Sequence, residues 1–249
     1  MAGRSYSTEA VVLRSIRFGE ADRVLHLYTA DRGRIGAVAK GVRKTKSRFG
    51  GRLEPLSHVE LQLHVGQGEL QTITGVTLVR SHQTARDDYY RLSVGLIGAE
   101  AMLRLFIEQE RNERAFTALT RFLDLLDEAP HAAERPTLDP LGLSFQLKLL
   151  WLSGYLPHLT SCVECGADGA TLAGYSPRAG GAVCRACAPK AEAHTLSAEG
   201  IVGVESLLSS PLADAATLGL SERATREALR IVTASYEYNG GFRLRTLSA

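Results

Sequence analysis

Four cysteines, Cys162, Cys165, Cys184 and Cys187, fall as two C-x2-C pairs separated by eighteen residues, and the chain contains no others. Two sulfurs at this short spacing can face one ion from a tight turn, and Gly166 relieves the backbone just after the first pair. A second turn completes a tetrahedron, and the overall spacing is that of a zinc site. One Zn2+ ligated by all four thiolates is the expectation. Such a site has no open coordination position, so its role would be structural rather than hydrolytic. Free or disulfide-bonded cysteines are the alternative. Disulfides are disfavoured in a cytoplasmic chain, and a redox C-x-x-C leaves the second pair unexplained. Tyr175 to Cys184, with Pro177 and Gly180-Gly181, reads as a hairpin between the two ligand turns, with Arg178, Arg185 and Lys190 as cations to offset the cluster's charge.

The second chemical signal is a run of cations. Lys40, Arg43, Lys44, Lys46, Arg48 and Arg52 lie within thirteen residues that contain no acid. The net charge of +2 conceals this asymmetry: residues 1–86 carry 14 Lys and Arg against 7 Asp and Glu, whereas the rest carry 15 against 20. A run of this kind suits a polyanion, and cations that neutralise phosphates release counterions. Aromatic rings beside such a run can stack on unpaired bases, and Phe18, Tyr28 and Phe49 are the candidates, although a lone aromatic in a strand, as Tyr28 is, is usually a packing residue.

Catalytic arrangements are mostly excluded. His58-Val59-Glu60 followed by Cys162 to Cys165 superficially matches a zinc nucleobase deaminase, but Ser161 replaces the proline and Cys184 and Cys187 are left over. His58 and Glu60 therefore read as strand surface. Lys44-Thr45 follows Arg43 rather than the glycine of a phosphate-binding loop. Gly66-x-Gly68 has Gln71 where a dinucleotide fingerprint needs its third glycine, and Gly142-Leu143-Ser144-Phe145-Gln146 lacks the last glycine of a nucleophile elbow. No two of the seven histidines stand four apart, which excludes H-E-x-x-H.

These residues must be positioned by local structure. Ser7 to Ile16, Val24 to Thr29, Arg34 to Val42, Glu60 to Val65 and Leu70 to Val79 read as five short strands linked by turns and one long basic loop. That pattern fits a small closed barrel of the oligonucleotide-binding (OB) type, and an SH3-like barrel equally. After His82 the period becomes helical. Leu92 to Phe106, Phe116 to Leu126 and Leu141 to Leu156 form apolar stripes, and Ser197 to Leu208 and Ser221 to Tyr238 each open on a capping serine. The domains expected are a barrel over 1–82, a helical domain over 83–158 and 189–249, and a zinc finger over 159–188. The stretch without charge from Leu149 to Val163 is too short, and broken by Pro157, to span a bilayer, and the first residues lack the apolar run of a secretory signal. A cytoplasmic protein is expected.

The chain resembles the RecO family of bacterial DNA repair and recombination mediators. The resemblance is carried by Glu9-Ala10-Val11-Val12-Leu13-Arg14, Gly19-Glu20-Ala21-Asp22-Arg23-Val24-Leu25, Gly33 to Arg43, Leu53-Glu54-Pro55, and Gly154-Tyr155-Leu156-Pro157 leading into Cys162 to Gly166. It implies an α+β multidomain chain with an N-terminal OB-fold barrel, a helical domain and an embedded four-cysteine zinc finger. It further implies a non-enzymatic, nucleoid-associated protein that binds single- and double-stranded DNA and anneals complementary strands without ATP. Its partners would be RecR, the acidic tail of single-strand-binding protein and, indirectly, RecA. Clustering and the barrel assignment give Arg14, Arg34, Lys40, Arg43, Lys44, Lys46, Arg48 and Arg52 as phosphate contacts and Phe18 and Phe49 as stacking rings, and the resemblance implies Arg23 as a contact for a RecR-like partner, because the family uses its barrel for both. A zinc-bearing RNA-binding or transcription-associated module is the alternative reading.

Overall fold

Residues 4–168 and 172–247 are described by the structure, a computed structural model. The alternating N-terminal segments become β1 (Arg4–Phe18), β2 (Asp22–Thr29), β3 (Gly33–Ala39), β4 (His58–Val65) and β5 (Gln71–Arg80). They close into a barrel of order β1-β2-β3-β5-β4. All neighbours are antiparallel except β3 and β5, which run parallel through Ala37↔Gln71 and Val38↔Thr72. This order is that of the OB fold, and it resolves the choice that alternation left open. β1 serves two partners, β4 along its first half and β2 along its second, and shifts register between Val12 and Arg14 where it bends from one to the other. Inside lie Leu25, Leu27, Ile35, Ala37, Val59, Leu61, Leu63 and Ile73, the inward half of each alternation.

The connection from β3 to β4 is the basic run, and it is not a free loop. Phe49 is 1% exposed and, with Leu53 on a short 3-10 turn (Gly50–Leu53), packs into the barrel core. Burying an aromatic and a leucine contributes about 1.5–3 kcal/mol for each side chain.

Three helices follow, α1 (Gln83–Asp87), α2 (Tyr89–Leu105) and α3 (Glu113–Glu128), and they belong to the same compact unit as the barrel, Met1–Glu128. Leu56, which ends the loop at φ 68°, is buried against α2, where a Cβ on Gly95 would come within 2.6 Å of its Cδ1. His82 uses both ring nitrogens, 2.8 Å from the Leu56 carbonyl oxygen and 3.0 Å from Asp124 Oδ1 on α3. His58 is buried rather than on the strand surface expected for it: its Nε2 lies 2.9 Å from Glu9 Oε2 and its ring stands edge-on to Phe116 of α3, whereas Glu60 is exposed. Phe116 of α3 covers the His58 end of β4, a position that alternation alone assigns to solvent.

The second compact unit, Ala129–Ala249, holds α4 (Pro140–Leu152), the strands β6 (Leu172–Ser176), β7 (Gly181–Cys184) and β8 (His194–Thr195) in order β7-β6-β8, then α5 (Ala198–Ser209) and α6 (Glu222–Gly240). By compactness the chain thus divides within the stretch 83–158 that composition groups as one helical segment. α4 begins with Pro140 behind the Asp139 cap and ends at Leu152, four residues short of the expected Leu156, because Gly154 takes φ 80°. Both expected serine caps form: Ser197 accepts from the Gly200 N–H and Ser221 from the Ala224 N–H. Lys148 of α4 donates to the carbonyl oxygens of Leu207, Leu208 and Ser210, closing the C-terminal end of α5. No helix among the described residues is long and apolar enough to cross a membrane.

Candidate nucleic-acid interface and metal centre

The cationic run is held at one end of the barrel by bonds to the β1–β2 turn. Gly41 N–H donates to Asp22 Oδ1 at 2.7 Å, Arg43 N–H to the Ala21 carbonyl at 2.9 Å, and the Arg43 guanidinium to the Glu20 carbonyl at 3.1 Å. From this frame Lys40, Lys44 and Lys46 project into solvent, and none makes an ion pair among the described residues. Arg14 on β1 is exposed as well, as is Arg17 beyond it, a cation that clustering in sequence missed. Arg48 is exposed with its guanidinium 4.9 Å from the Phe49 ring centroid.

Three of the sequence-derived assignments change, and Tyr28 takes the packing side of its two readings. Arg52 spends its guanidinium on the carbonyl oxygens of Phe49, Val76 and Arg48, so it braces the cap instead of facing a phosphate. Arg34 donates to the Leu103 carbonyl and pairs with Glu108 at 3.4 Å, tying β3 to the last turn of α2 and the segment after it. Phe49 is in the barrel core and has no face to offer a base. Tyr28 is fully buried against Phe106, with ring centroids 5.5 Å apart, and burial pushes its hydroxyl far above the ordinary tyrosine range. Phe18, by contrast, is 55% exposed at the end of β1. Arg23 is half-buried and ion-paired, its Nη1 lying 3.0 Å from Glu54 Oε1.

In the second unit the two cysteine pairs meet. Each forms a knuckle: Gly166 N–H donates to the Cys162 carbonyl at 2.8 Å with Gly166 at φ 75°, and the N–H groups of Cys187 and Ala188 donate to the Cys184 carbonyl. The first knuckle is stapled to the expected hairpin, β6–β7, by bonds from His158 N–H to Gly180, Ala182 N–H to His158 and Val163 N–H to Ala182. A side chain at Gly181 would stand 2.2 Å from the His158 carbonyl oxygen, so glycine is required for this approach.

All four Sγ atoms lie within 4.8 Å of one another, with Cys165 and Cys184 3.9 Å apart. That is far longer than a disulfide, and it matches the edge of about 3.8 Å that a tetrahedron with metal–sulfur bonds of about 2.3 Å requires. The Cys162 thiol is pulled down to about 6, chiefly by the Cys184 backbone N–H, while Cys187 is pushed up to about 12 by its Cys184 and Cys165 neighbours. Four thiols competing for negative charge in this space form a set of donors that suits a metal cation.

Comparison with known proteins agrees over most of the chain. The family model described as "Recombination protein O N terminal" matches residues 1–82, and the one described as "Recombination protein O C terminal" matches 86–248. A DNA repair protein RecO from Rubrobacter xylanophilus is 39% identical over 234 residues, covering 93% of this chain and 90% of that protein. One from Anaeromyxobacter sp. strain K is 34% identical over 238 residues, covering 94% and 91%. The class defined by this barrel, this four-thiol cluster and these relatives is that of barrel-bearing DNA repair proteins. The chain belongs to the RecO family.

Proposed function

We propose that the protein is a recombination mediator that makes and breaks no covalent bond itself. It binds single- and double-stranded DNA along the cationic end of the barrel and anneals complementary strands without ATP. With RecR it promotes RecA loading onto strands coated by single-strand-binding protein. The observation that carries this reading is the group of exposed, unpaired cations, Arg14, Lys40, Lys44 and Lys46, on a scaffold stitched to the β1–β2 turn. Such a group neutralises phosphates without reading sequence, and annealing needs little more than two strands brought together with their bases free. Arg43 and Arg48 extend the set. The Arg23–Glu54 pair is offered to RecR, whose own carboxylate would replace Glu54. The acidic tail of single-strand-binding protein is assigned to the helical part of the chain, and the protein to the cytoplasm and nucleoid.

The metal we assign is one structural Zn2+ held by Cys162, Cys165, Cys184 and Cys187. Its contribution when bound is to cross-link the two knuckles and so to fold the β6–β7 segment. Native mass spectrometry of the intact protein should show one zinc per chain, lost on chelation.

The functional test is ATP-free annealing of complementary DNA strands, one coated with its single-strand-binding protein, across a salt series. Acceleration that fades as salt rises supports the mediator reading. No acceleration at low salt, together with preference for RNA over matched single-stranded DNA, would overturn it in favour of an RNA-binding module.

A further inference from the structure

The four cysteines of the second unit are buried unevenly. Cys162 is 1% and Cys184 6% exposed, Cys187 is half-buried, and Cys165 lies open to solvent in the turn of the first knuckle. A solute that reacts with sulfur therefore meets Cys165 first. Behind it, on the opposite knuckle, Cys184 Sγ stands 3.9 Å from Cys165 Sγ. The backbone presets this meeting: the Val163 N–H donates to the Ala182 carbonyl at 3.0 Å, and each cysteine follows two residues after one end of that bond.

Joining these two sulfurs at the disulfide length of about 2.05 Å takes a movement of roughly 2 Å. Joining Cys165 to Cys162 is harder. The turn between them is already fixed by the Cys162 N–H to the Ala167 carbonyl and the Gly166 N–H to the Cys162 carbonyl, both at 2.8 Å. An exposed sulfur with a buried sulfur behind it is the arrangement in which one thiolate is oxidised and a second resolves the product.

We infer that Cys165 is a site of oxidation by peroxides, with Cys184 as its resolving thiol, so that the cluster is a reversible thiol switch as well as a cross-link. The inference rests on the zinc assignment above and adds a reaction to it. The Cys165 thiolate attacks one oxygen of hydrogen peroxide: an S–O bond forms, the O–O bond breaks and hydroxide leaves, giving a sulfenic acid. The Cys184 thiolate then attacks that sulfur, forming the S–S bond as the S–O bond breaks and a second hydroxide leaves. Two thiolates have lost two electrons, and one peroxide has been reduced to two hydroxides, taken up as water. Only Cys162 and Cys187 remain as thiolates, half of a closed tetrahedral set, so the cation is released. The disulfide spans the same two knuckles that the metal joined. The β6–β7 hairpin thus stays clasped, with Tyr175 of β6 bonded to Ser235 of α6 at 2.6 Å, and a reductant regenerates the four thiolates in place.

The test treats the full-length, zinc-loaded protein with hydrogen peroxide while a chromophoric chelator reports released zinc and peptide mapping reports the thiols. One zinc per chain should be lost as a Cys165–Cys184 disulfide forms. Dimedone added with the peroxide, which traps sulfenic acids, should label Cys165 before the other three cysteines. Dithiothreitol with added zinc should then restore the full metal content. Cys165→His, whose imidazole ligates zinc but forms no sulfenic acid, should release its metal several-fold more slowly at the same peroxide concentration. Should that variant load no zinc, the labelling order in the unaltered protein decides. First labelling at Cys162, Cys184 or Cys187 overturns the inference, as do a disulfide within either knuckle, zinc retained through an excess of peroxide, and zinc loss that the reductant does not reverse. A protein that takes up no zinc before any oxidant is added sinks the zinc assignment itself.

Discussion

Asp22 and Gly41 are nineteen residues apart in sequence and joined by a 2.7 Å hydrogen bond from the Gly41 N–H to the Asp22 carboxylate. Gly41 takes φ 68°, so the chain turns here at a glycine and enters the cationic cap directly under the β1–β2 turn. An acid thus sits at the root of a surface built to attract anions, and its work is positional.

Asp22→Ala should weaken DNA binding several-fold even though it makes the protein more positive. Simple charge counting gives the opposite sign, so the measured affinity at one fixed salt separates the two. Asp22→Asn, which keeps an acceptor for the Gly41 N–H, should restore most of the loss.

Cys162→Ser or Cys184→Ser should abolish stoichiometric metal and lower the melting temperature of the second unit, because an incomplete ligand set no longer cross-links the knuckles. The barrel lies in the other compact unit, Met1–Glu128. DNA affinity measured well below the lowered transition should therefore change little. A parallel collapse of metal content and DNA affinity would instead place the cluster in the binding surface.

Glu227 is buried on α6 and accepts from the backbone N–H and the hydroxyl of Ser197, with Arg223 Nε 3.2 Å away. Burial raises its carboxyl, but the Ser197 bonds and the Arg223 guanidinium outweigh that and hold it below the usual carboxylate range. A carboxylate depressed in the folded state adds stability that is fully present above the unfolded value of about 4.3 and lost as pH falls through the folded one. Glu227→Gln should cost about 1.5–3 kcal/mol at pH 7 in urea unfolding, and the gap should narrow as the pH is lowered below about 4.

Gly33 turns β2 into β3 at φ 61°, and a Cβ there would lie 1.9 Å from the Glu110 carbonyl oxygen. Gly33→Ala should destabilise the first unit by at least about 2 kcal/mol, combining left-handed strain with displacement of backbone that cannot swing aside. Thermal unfolding measures the loss. The metal content of the second unit should be unaffected.

Sequence conveys the repeated and local features well. The four-thiol spacing, the five alternating strands and the Ser197 and Ser221 caps are all decided by neighbours a few residues away. The fates of Phe49, Arg52 and Arg34 depend on closure: only when β3 meets β5 does the barrel acquire an open end for Phe49 to fill, and only then do the Val76 and Leu103 carbonyls come near the two guanidiniums. Alternation puts His58 on the surface because it takes no account of α3, more than fifty residues on, whose Phe116 covers that end of the strand. His26 is legible in principle, since Leu25 and Leu27 face inward and place it outward between them. Its neighbours across the ladder, Arg14 and Gly36, are not revealed by a single strand's pattern.

The parallel closure of β3 on β5 rests on only two residue pairs, Ala37↔Gln71 and Val38↔Thr72, whereas β2 and β3 share seven. A cylinder zipped this shortly on one side has a seam, and a seam decides the order of events in folding. The hairpins on either side form from near neighbours, and the chain must then bring together residues more than thirty positions apart to shut the cylinder. Amide protons along that seam should be the first of the barrel to exchange with solvent, ahead of those shared by β1 and β2.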